Sequence, residues 1–319
     1  KKTNGKKYSK VFGDWLSKKV EEGDDDLVAI TPAMSEGSGM NDFAEKNPDK
    51  FYDVAIAEQH SMTFAAGLAK EGKKPILAIY STFLQRAYDQ LIHDVALQKL
   101  DVTLAIDRAG FVGGDGATHA GIFDVSFLRC IPNMIIMSPS DENECWKMLS
   151  TGYNYSGPAA IRYPRGEGPG SEILKSFDLL EIGKARVINE ASSDLVIFSF
   201  GNMLEIAMEI SDEIGCSLVD MRFIKPLDEE LIEKYAKTHK YIITIEENVI
   251  SGGAGSAVNE YLTKIGYSDK LKIFGVPDDF PIVGSQEDQR EAAGLSKNKI
   301  LERLSLELDL KDLNKKVSA

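Results

Sequence analysis

Short apolar runs rich in β-branched residues alternate with segments of helical periodicity along the whole chain of 319 residues. This alternation is typical of βαβ units, in which helices cover a parallel sheet. We therefore predict an α/β fold with two three-layer α/β/α domains built on mostly parallel sheets. The predicted strands are 27–31, 53–57, 75–80, 102–107, 134–138 and 159–163, followed by 195–200, 217–221, 241–245 and 272–275.

A Gly/Pro-rich stretch, residues 166–171, separates the two series of strands and is typical of a linker. We predict a first domain at 1–165, a linker at 166–185 and a second domain at 186–319. A chain of this length has room for two hydrophobic cores at roughly 150 residues per domain. The 43% hydrophobic and 27% charged fractions are those of an ordinary globular protein.

Charge and composition exclude several classes of function. The formal net charge of −13 disfavours general nucleic-acid binding, because a phosphate backbone would be repelled. No apolar run approaches the ~18 residues that span a bilayer, and the basic start lacks an apolar segment behind it, so we predict a cytoplasmic chain without a membrane partner. The four histidines are too scattered for a zinc motif, which leaves no predicted metal ligand. We expect three reduced, buried thiols at Cys130, Cys145 and Cys216.

Polar side chains follow the predicted strands of the first domain, where open α/β sheets bind their ligands. Glu58 comes directly after strand 53–57 and opens a helical pattern, a position where a carboxylate is favoured by the helix dipole. Phe83 and Arg86 lie three residues apart near the start of a predicted helix at 82–98 and therefore share a face. Alternatively, Glu58 is only a capping acid and Phe83 only a core residue.

Arginine is concentrated in residues 86–165, which hold five Arg and two Lys, whereas the rest of the chain has 4 Arg and 26 Lys. A planar guanidinium binds carboxylate or phosphate at two points, which a Lys ammonium cannot do. Arg108 and Arg165 each follow a predicted strand. The alternative is that these arginines form structural ion pairs with nearby Asp89, Asp107 or Asp124.

The segment 107–121 contains five glycines, and so long a loop in a compact domain is usually functional. It lacks the GK[ST] ending of a loop that binds nucleoside triphosphates. Asp115 and His119 are its candidate general acid/base groups. Gly114-Asp115-Gly116 with Asn143 has the spacing of a metal motif, but the family resemblance carried by the surrounding words, DRAGFVGGDGATHAG (107–121) and SPSDENE (138–144), implies a substrate-facing Asp115 instead.

Seven motifs, in order, carry a resemblance to a known family. The chain resembles the 1-deoxy-D-xylulose 5-phosphate synthases, thiamin-diphosphate enzymes of the transketolase superfamily, over nearly its whole length. The motifs are ITPAM (30–34), AEQH (57–60), YSTFLQRAYDQ (80–90), DRAGFVGGDGATHAG (107–121), SPSDENE (138–144), RYPRG (162–166) and VDMRFIKPLD (219–228).

The resemblance implies roles for the candidate residues. Glu58 resembles the glutamate that hydrogen-bonds the aminopyrimidine ring of thiamin diphosphate and assists loss of the thiazolium proton. Phe83 resembles the ring that stacks on that pyrimidine, and Arg86 lies one turn further on. Three residues are implied to handle the pyruvate adduct and the acceptor carbonyl, namely Tyr80, Asp115 and His119. Two arginines, Arg108 and Arg165, are implied to bind the phosphate of the aldehyde substrate.

The family makes 1-deoxyxylulose 5-phosphate from pyruvate and glyceraldehyde 3-phosphate, and its members begin with a domain that holds the diphosphate and Mg²⁺. That domain has no counterpart here, so the resemblance implies two transketolase-like domains, pyrimidine-binding and C-terminal, that need the missing diphosphate-binding domain or subunit. It also implies a homodimer, and a chain that is inactive alone. Two alternatives remain open: the beta subunit of a ketoacid dehydrogenase decarboxylase, and a noncatalytic interaction module that keeps the fold.

Overall fold

The computed structural model describes residues 5–308, and twelve strands within them form two sheets. The outermost residues of the two predicted domains, 1–4 and 309–319, lie outside the described part of the chain. The strands are β1 (Leu27–Thr31), β2 (Phe51–Asp53), β3 (Lys74–Tyr80), β4 (Thr103–Asp107), β5 (Ile135–Met137), β6 (Ala159–Arg162), β7 (Arg186–Asn189), β8 (Leu195–Ser199), β9 (Ser217–Asp220), β10 (Phe223–Lys225), β11 (Tyr241–Val249) and β12 (Leu271–Val276).

The first sheet has the order β10-β5-β6-β4-β3-β1-β2, and all its pairs are parallel except β10 with β5. The register places Tyr80 of β3 beside Asp107 of β4 at the carboxyl edge. The second sheet has the order β12-β11-β8-β9-β7, with only β7 antiparallel. The predicted α/β fold with two mostly parallel sheets is therefore confirmed.

Twelve α-helices connect these strands within residues 5–308. They are α1 (Tyr8–Glu21), α2 (Asn41–Lys46), α3 (Glu58–Lys70), α4 (Ser81–Leu84), α5 (Tyr88–Gln90), α6 (Asp124–Leu128), α7 (Glu142–Asn154), α8 (Leu204–Ile214), α9 (Glu229–Thr238), α10 (Ala254–Ile265), α11 (Gln286–Ala292) and α12 (Lys297–Glu307). None of the helices in this range combines the length and apolar character needed to cross a bilayer.

Three apolar clusters hold the sheets and helices together. The first runs across both sheets and includes Leu77 of β3 and Phe198 of β8, so the two predicted domains share packed core. The second lies between the first sheet and helices α1 and α7. In the third, Phe111 and Val112 from the first domain's glycine-rich segment pack with the second sheet. The glycine-rich segment is thus anchored by apolar contact with the second domain.

Most predicted strands lie within one or two residues of the observed ones, but the strand predicted at 53–57 is wrong. The structure places β2 at Phe51–Asp53. The Asp53 carboxylate accepts hydrogen bonds from the Ala33 and Ala55 amides, and Ala55 has a φ of 58°, so the chain turns away immediately after Asp53. The apolar residues at 54–57 belong to this turn.

The continuous helix predicted at 82–98 is also wrong. Helix α4 is followed by a 3₁₀ turn at Gln85–Ala87, by α5, and by a π-helical segment at Leu91–Ala96. Apolar periodicity distinguishes a helical segment from a strand, but not one helical winding from another. The buried face of this segment, including Leu84 and Leu91, matches the prediction of helical structure.

Two further expectations need correction. The strand predicted at 241–245 continues as β11 to Val249, so Glu246, Glu247 and Asn248 lie within the sheet instead of following it. Cys130 is exposed, whereas Cys145 and Cys216 are buried, and all three thiols are free. The segment 166–185 contains no helix or strand, and its role as a linker between domains stays a prediction.

Candidate active site

The carboxyl edge of the first sheet brings Glu58, Phe83 and Arg86 together. Glu58 is the first residue of α3 and is only 6% exposed. Its Oε1 accepts a hydrogen bond from Arg86 Nη1 at 2.8 Å, whereas Oε2 has no hydrogen bond from any residue in the described range. The Arg86 guanidinium carbon lies 5.2 Å from the centre of the Phe83 ring. One oxygen of a largely buried carboxylate, beside a half-buried ring, therefore remains available to a ligand.

A row of aromatic rings continues from Phe83 toward the glycine-rich loop. Tyr80 and Phe83 are stacked, with centroids 5.3 Å apart and an interplanar angle of 11°. The His119 ring meets Phe83 edge-on at 5.6 Å, and its Nδ1 shares a 2.9 Å hydrogen bond with Thr118 Oγ1. Burial raises the pKa of Tyr80, so its phenol is a neutral hydrogen-bonding group at pH 7.

Arg108 is held in a strained backbone position at the end of β4. Its φ is 59°, in the left-handed region that few non-glycine residues adopt. Its Nη1 donates to Asp107 Oδ2 at 2.7 Å and to the Gly37 carbonyl at 2.8 Å, and its guanidinium carbon lies 4.1 Å from the Tyr80 ring centre. The Nε atom of Arg108 is buried without a partner. Strain of this kind is found mostly at functional sites.

Asp107 is a part of this site that the sequence analysis treated only as a possible ion-pair partner. It is 1% exposed, and burial raises the pKa of its carboxyl to about 6 despite the opposing Arg108 charge. Its Oδ1 also accepts from the Arg108 amide at 2.7 Å. A polar residue at a strand end next to Arg108 was the only available signal.

Asp115 and Arg165 form a separate ion pair, with Arg165 Nε 3.1 Å from Asp115 Oδ2. Arg165 also donates to the Val112 carbonyl at 3.3 Å. Within the described residues, Asp115 has no contact with His119, although the two were predicted as neighbouring acid/base candidates on one loop.

Arg108 and Arg165 line one cleft of about 690 Å³. The sequence analysis missed Lys7 and Lys10, which line the same cleft because α1 begins there. Lys10 is paired with Asp14 and Asp42, so it is already neutralised, whereas Lys7 has no ion pair within residues 5–308. The cleft therefore carries three positive side chains suited to an anion, two of them with one acidic partner each, together with the carboxylate of Glu36, which forms no ion pair within the described residues.

The alternative interpretation of the arginines, ion pairs with nearby acids, holds for Arg108, which pairs with Asp107, and for two other members of the group. Arg162 is 4% exposed and donates to Asp124, which is fully buried, at 2.8 and 3.1 Å. Arg129 pairs with Glu260. These two arginines are structural, and Asp89 forms no ion pair in the described part of the chain.

The sequence spacing that resembles a metal motif does not correspond to a cluster of ligands. Asn143 Oδ1 accepts from the Leu174 amide at 3.1 Å, and Asp115 pairs with Arg165, so the two side chains contact different parts of the molecule. No group of three or more His, Cys, Asp or Glu side chains in residues 5–308 is arranged to hold a metal ion.

Comparison with known proteins agrees with this layout. Residues 4–170 match the family "Transketolase, pyrimidine binding domain", and residues 183–300 match "Transketolase, C-terminal domain". The chain is 55% identical over 295 residues to the 1-deoxy-D-xylulose-5-phosphate synthase of Psychromonas ingrahamii, which covers 91% of this chain and 47% of that protein. The same enzyme of Haemophilus influenzae (strain PittGG) is 55% identical over 297 residues, covering 93% and 47%.

The chain thus spans about half the length of these relatives. Among solved structures, "Split gene transketolase, inactive beta4 tetramer" aligns with a TM-score of 0.83 and 29% identity, covering 97% of this chain and 100% of that one. The predicted resemblance to the 1-deoxyxylulose 5-phosphate synthases is confirmed. The chain belongs to the transketolase family, of which it carries the pyrimidine-binding and C-terminal domains.

Proposed function

We propose that this chain supplies the pyrimidine side and the substrate side of a 1-deoxy-D-xylulose 5-phosphate synthase. The complete enzyme would decarboxylate pyruvate and condense the remaining two-carbon unit with glyceraldehyde 3-phosphate. Identity of 55% to two such synthases supports this proposal. The observation that carries it is the Glu58 carboxylate, buried beside Phe83 and Arg86 with one oxygen unpartnered within the described residues.

These residues fit the pyrimidine half of thiamin diphosphate. A buried carboxylate acceptor suits a ring nitrogen that carries a proton, and the face of Phe83 suits a flat heterocycle. When bound, the cofactor supplies the carbon nucleophile that attacks the keto group of pyruvate. Glu58 would hold the proton at the ring nitrogen, and its Arg86 hydrogen bond would keep the carboxylate oriented.

The cleft residues fit the acceptor substrate. Arg108 and Arg165, with Lys7 nearby, would bind the phosphate of glyceraldehyde 3-phosphate through charged hydrogen bonds. Tyr80 and His119 flank Phe83 and would donate to the keto and aldehyde oxygens. Asp115 would orient Arg165 and the acceptor hydroxyl.

The diphosphate and Mg²⁺ would be held by a diphosphate-binding half, on the same polypeptide or on another. The described residues offer no cluster of metal-ligating side chains. We also propose a homodimer, which light scattering would show, and activity that depends on the second half. The relative described as a split-gene transketolase in an inactive beta4 tetramer supports that dependence. A cytoplasmic location stays a prediction from the sequence.

The role of Glu58 is tested by Glu58→Gln in the complete enzyme. The variant keeps the shape of the side chain but removes the charge. We expect deuterium incorporation at the thiazolium carbon to slow by ~10²–10⁴-fold, the usual contribution of acid/base assistance. Glu71→Gln, an exposed carboxylate just past the other end of α3, is the matched control and should exchange at the parent rate. Exchange at the parent rate in Glu58→Gln would reduce Glu58 to a helix-capping acid.

A further inference from the structure

The glycine-rich segment 107–121, named here the Asp115 loop, belongs to the first domain in sequence but is held in place by contacts with the second domain. Its ends meet through the Gly110–Gly121 bridge. Between them, Phe111 and Val112 are fully buried in the apolar cluster of the second sheet. The exposed tip that carries Asp115 therefore projects from a base that the C-terminal domain holds.

Two amide side chains of helix α11, in the C-terminal domain, form hydrogen bonds with this loop. Gln286 Nε2 donates to the Phe111 carbonyl at 2.7 Å and to the Arg165 carbonyl at 3.2 Å. One side chain thus connects the loop to the backbone of the arginine that pairs with Asp115. Gln289, 1% exposed, accepts from the Gly113 amide at 2.8 Å and donates to the Gly113 carbonyl at 3.2 Å.

The helix is itself fixed to the second sheet. Arg290 of α11 forms an ion pair with Glu247 of β11, which is 1% exposed. The other oxygen of Glu247 accepts from the Phe111 amide at 3.3 Å and from Asn202 at 3.0 Å. Sheet, helix and loop therefore form one closed network of hydrogen bonds around Phe111.

The geometry points to Gln286 as a positioning residue for acceptor recognition, with Gln289 in support. By holding Phe111 and Arg165 to one side chain, Gln286 sets the Arg165–Asp115 pair at the cleft, so that the C-terminal domain helps to determine which acceptor is used. This inference rests on the proposed function of the cleft. Glu58, Phe83 and Arg86 lie on other elements, and within the described residues none of them forms a hydrogen bond, ion pair or ring contact with α11, so the pyrimidine side should not depend on it.

The test uses Gln286→Met, which preserves length and removes both donated hydrogen bonds, with Glu287→Gln on the exposed side of α11 as the control. Amide hydrogen exchange in the chain alone should accelerate about tenfold in peptides from the Asp115 loop and stay unchanged in peptides containing Glu58 and Phe83. A purely structural role would accelerate both regions. Gln289→Ala is the second variant should Gln286→Met not fold.

In the complete enzyme, we expect kcat/KM for glyceraldehyde 3-phosphate to fall about tenfold through KM, with a smaller loss for unphosphorylated glyceraldehyde, which lacks the phosphate that Arg165 would bind. Equal loss with both acceptors, unchanged loop exchange, or acceleration in both regions would overturn the inference. If the parent enzyme makes no product at all, the proposed function fails, while the exchange measurement still decides whether Gln286 positions the loop.

Discussion

Arg108 and Arg165 share a cleft but differ in how much the stability of the fold depends on them. Arg108 neutralises Asp107, whose carboxyl is almost fully buried and whose pKa is raised by that burial. Removing Arg108 would leave this carboxylate without its charge partner, at a cost of ~3–5 kcal/mol for a buried pair. The side chains of Arg165 and Asp115 are 44% and 35% exposed, so Arg165 can be removed with far less effect on stability.

Arg165→Ala therefore tests phosphate binding with less effect on stability than Arg108→Ala. A charged hydrogen bond contributes ~1.5–3 kcal/mol, so use of glyceraldehyde 3-phosphate by the complete enzyme should weaken by roughly 10- to 150-fold. Unphosphorylated glyceraldehyde should be used as before. Arg108→Ala should lose the same discrimination and also lower the urea midpoint of unfolding, and Lys237→Ala, in a surface pair with Glu233, should change neither. Equal loss with both acceptors would mean that the arginines act on pyruvate or on structure.

At the scale of single residues, the sequence predicted which side chains belong to the site better than it predicted which of them contact each other. The spacing of Phe83 and Arg86 predicted a shared face, and the structure brings both to Glu58. Lys7 and Gln286 could not be predicted, because each reaches the site across more than 100 residues of chain and neither has a local pattern that sets it apart. The pairing of Asp115 with Arg165 is equally a product of the tertiary fold.

Among the elements, the junction of β11 with α10 contains a buried acid whose titration should be visible. Glu246 is 1% exposed and accepts from the Ala254 and Gly255 amides at 2.8 and 2.7 Å. Burial raises the pKa of its carboxyl to about 7, with the two amides opposing the shift. The folded chain thus binds a proton more tightly than the unfolded chain, and stability must fall as the pH rises through 7.

Burial also raises the pKa values of Asp107 and Asp220, but only to about 6, so Glu246 should dominate above that pH. Titration of Glu246 near 7 should lower the free energy of unfolding by about 1.4 kcal/mol between pH 6 and pH 8, and Asp107 and Asp220 should each add a smaller fall near pH 6. Urea unfolding at both pH values measures this. Glu246→Gln should be less stable overall but should lose most of the dependence; the same slope in the variant would assign it to another group.

Local pattern predicted the existence of these elements and failed where tertiary contacts set their ends. The strand at 53–57 was misplaced because the Asp53 side chain closes a turn through the Ala33 and Ala55 amides. The edge strand β10 was not predicted. Its three residues follow β9 of the second sheet in sequence but pair with β5 of the first sheet. The extension of β11 through Glu246 to Asn248 was missed because charged residues are normally found beyond a buried strand.

For the whole molecule, the alternation of strands and helices was enough to predict two mostly parallel sheets, and the ordered motifs were enough to predict the family. The division at residues 165 and 186 stays a prediction, since a core cluster and the Gln286 and Glu247 contacts join the two series of elements. Large apolar side chains remain exposed, including Ile56 directly before the Glu58 helix and Val283 near the Asp115 loop, at 81% and 78%.

Product formation is the measurement that bears most directly on the central claim. The purified chain would be assayed with pyruvate, glyceraldehyde 3-phosphate, thiamin diphosphate and Mg²⁺, alone and with the remaining half of the Haemophilus influenzae relative added as a separate polypeptide. The account predicts no 1-deoxyxylulose 5-phosphate from the chain alone and its formation in the mixture, abolished by Glu58→Gln. Product from the chain alone, or none from a mixture whose two halves bind each other, would contradict it.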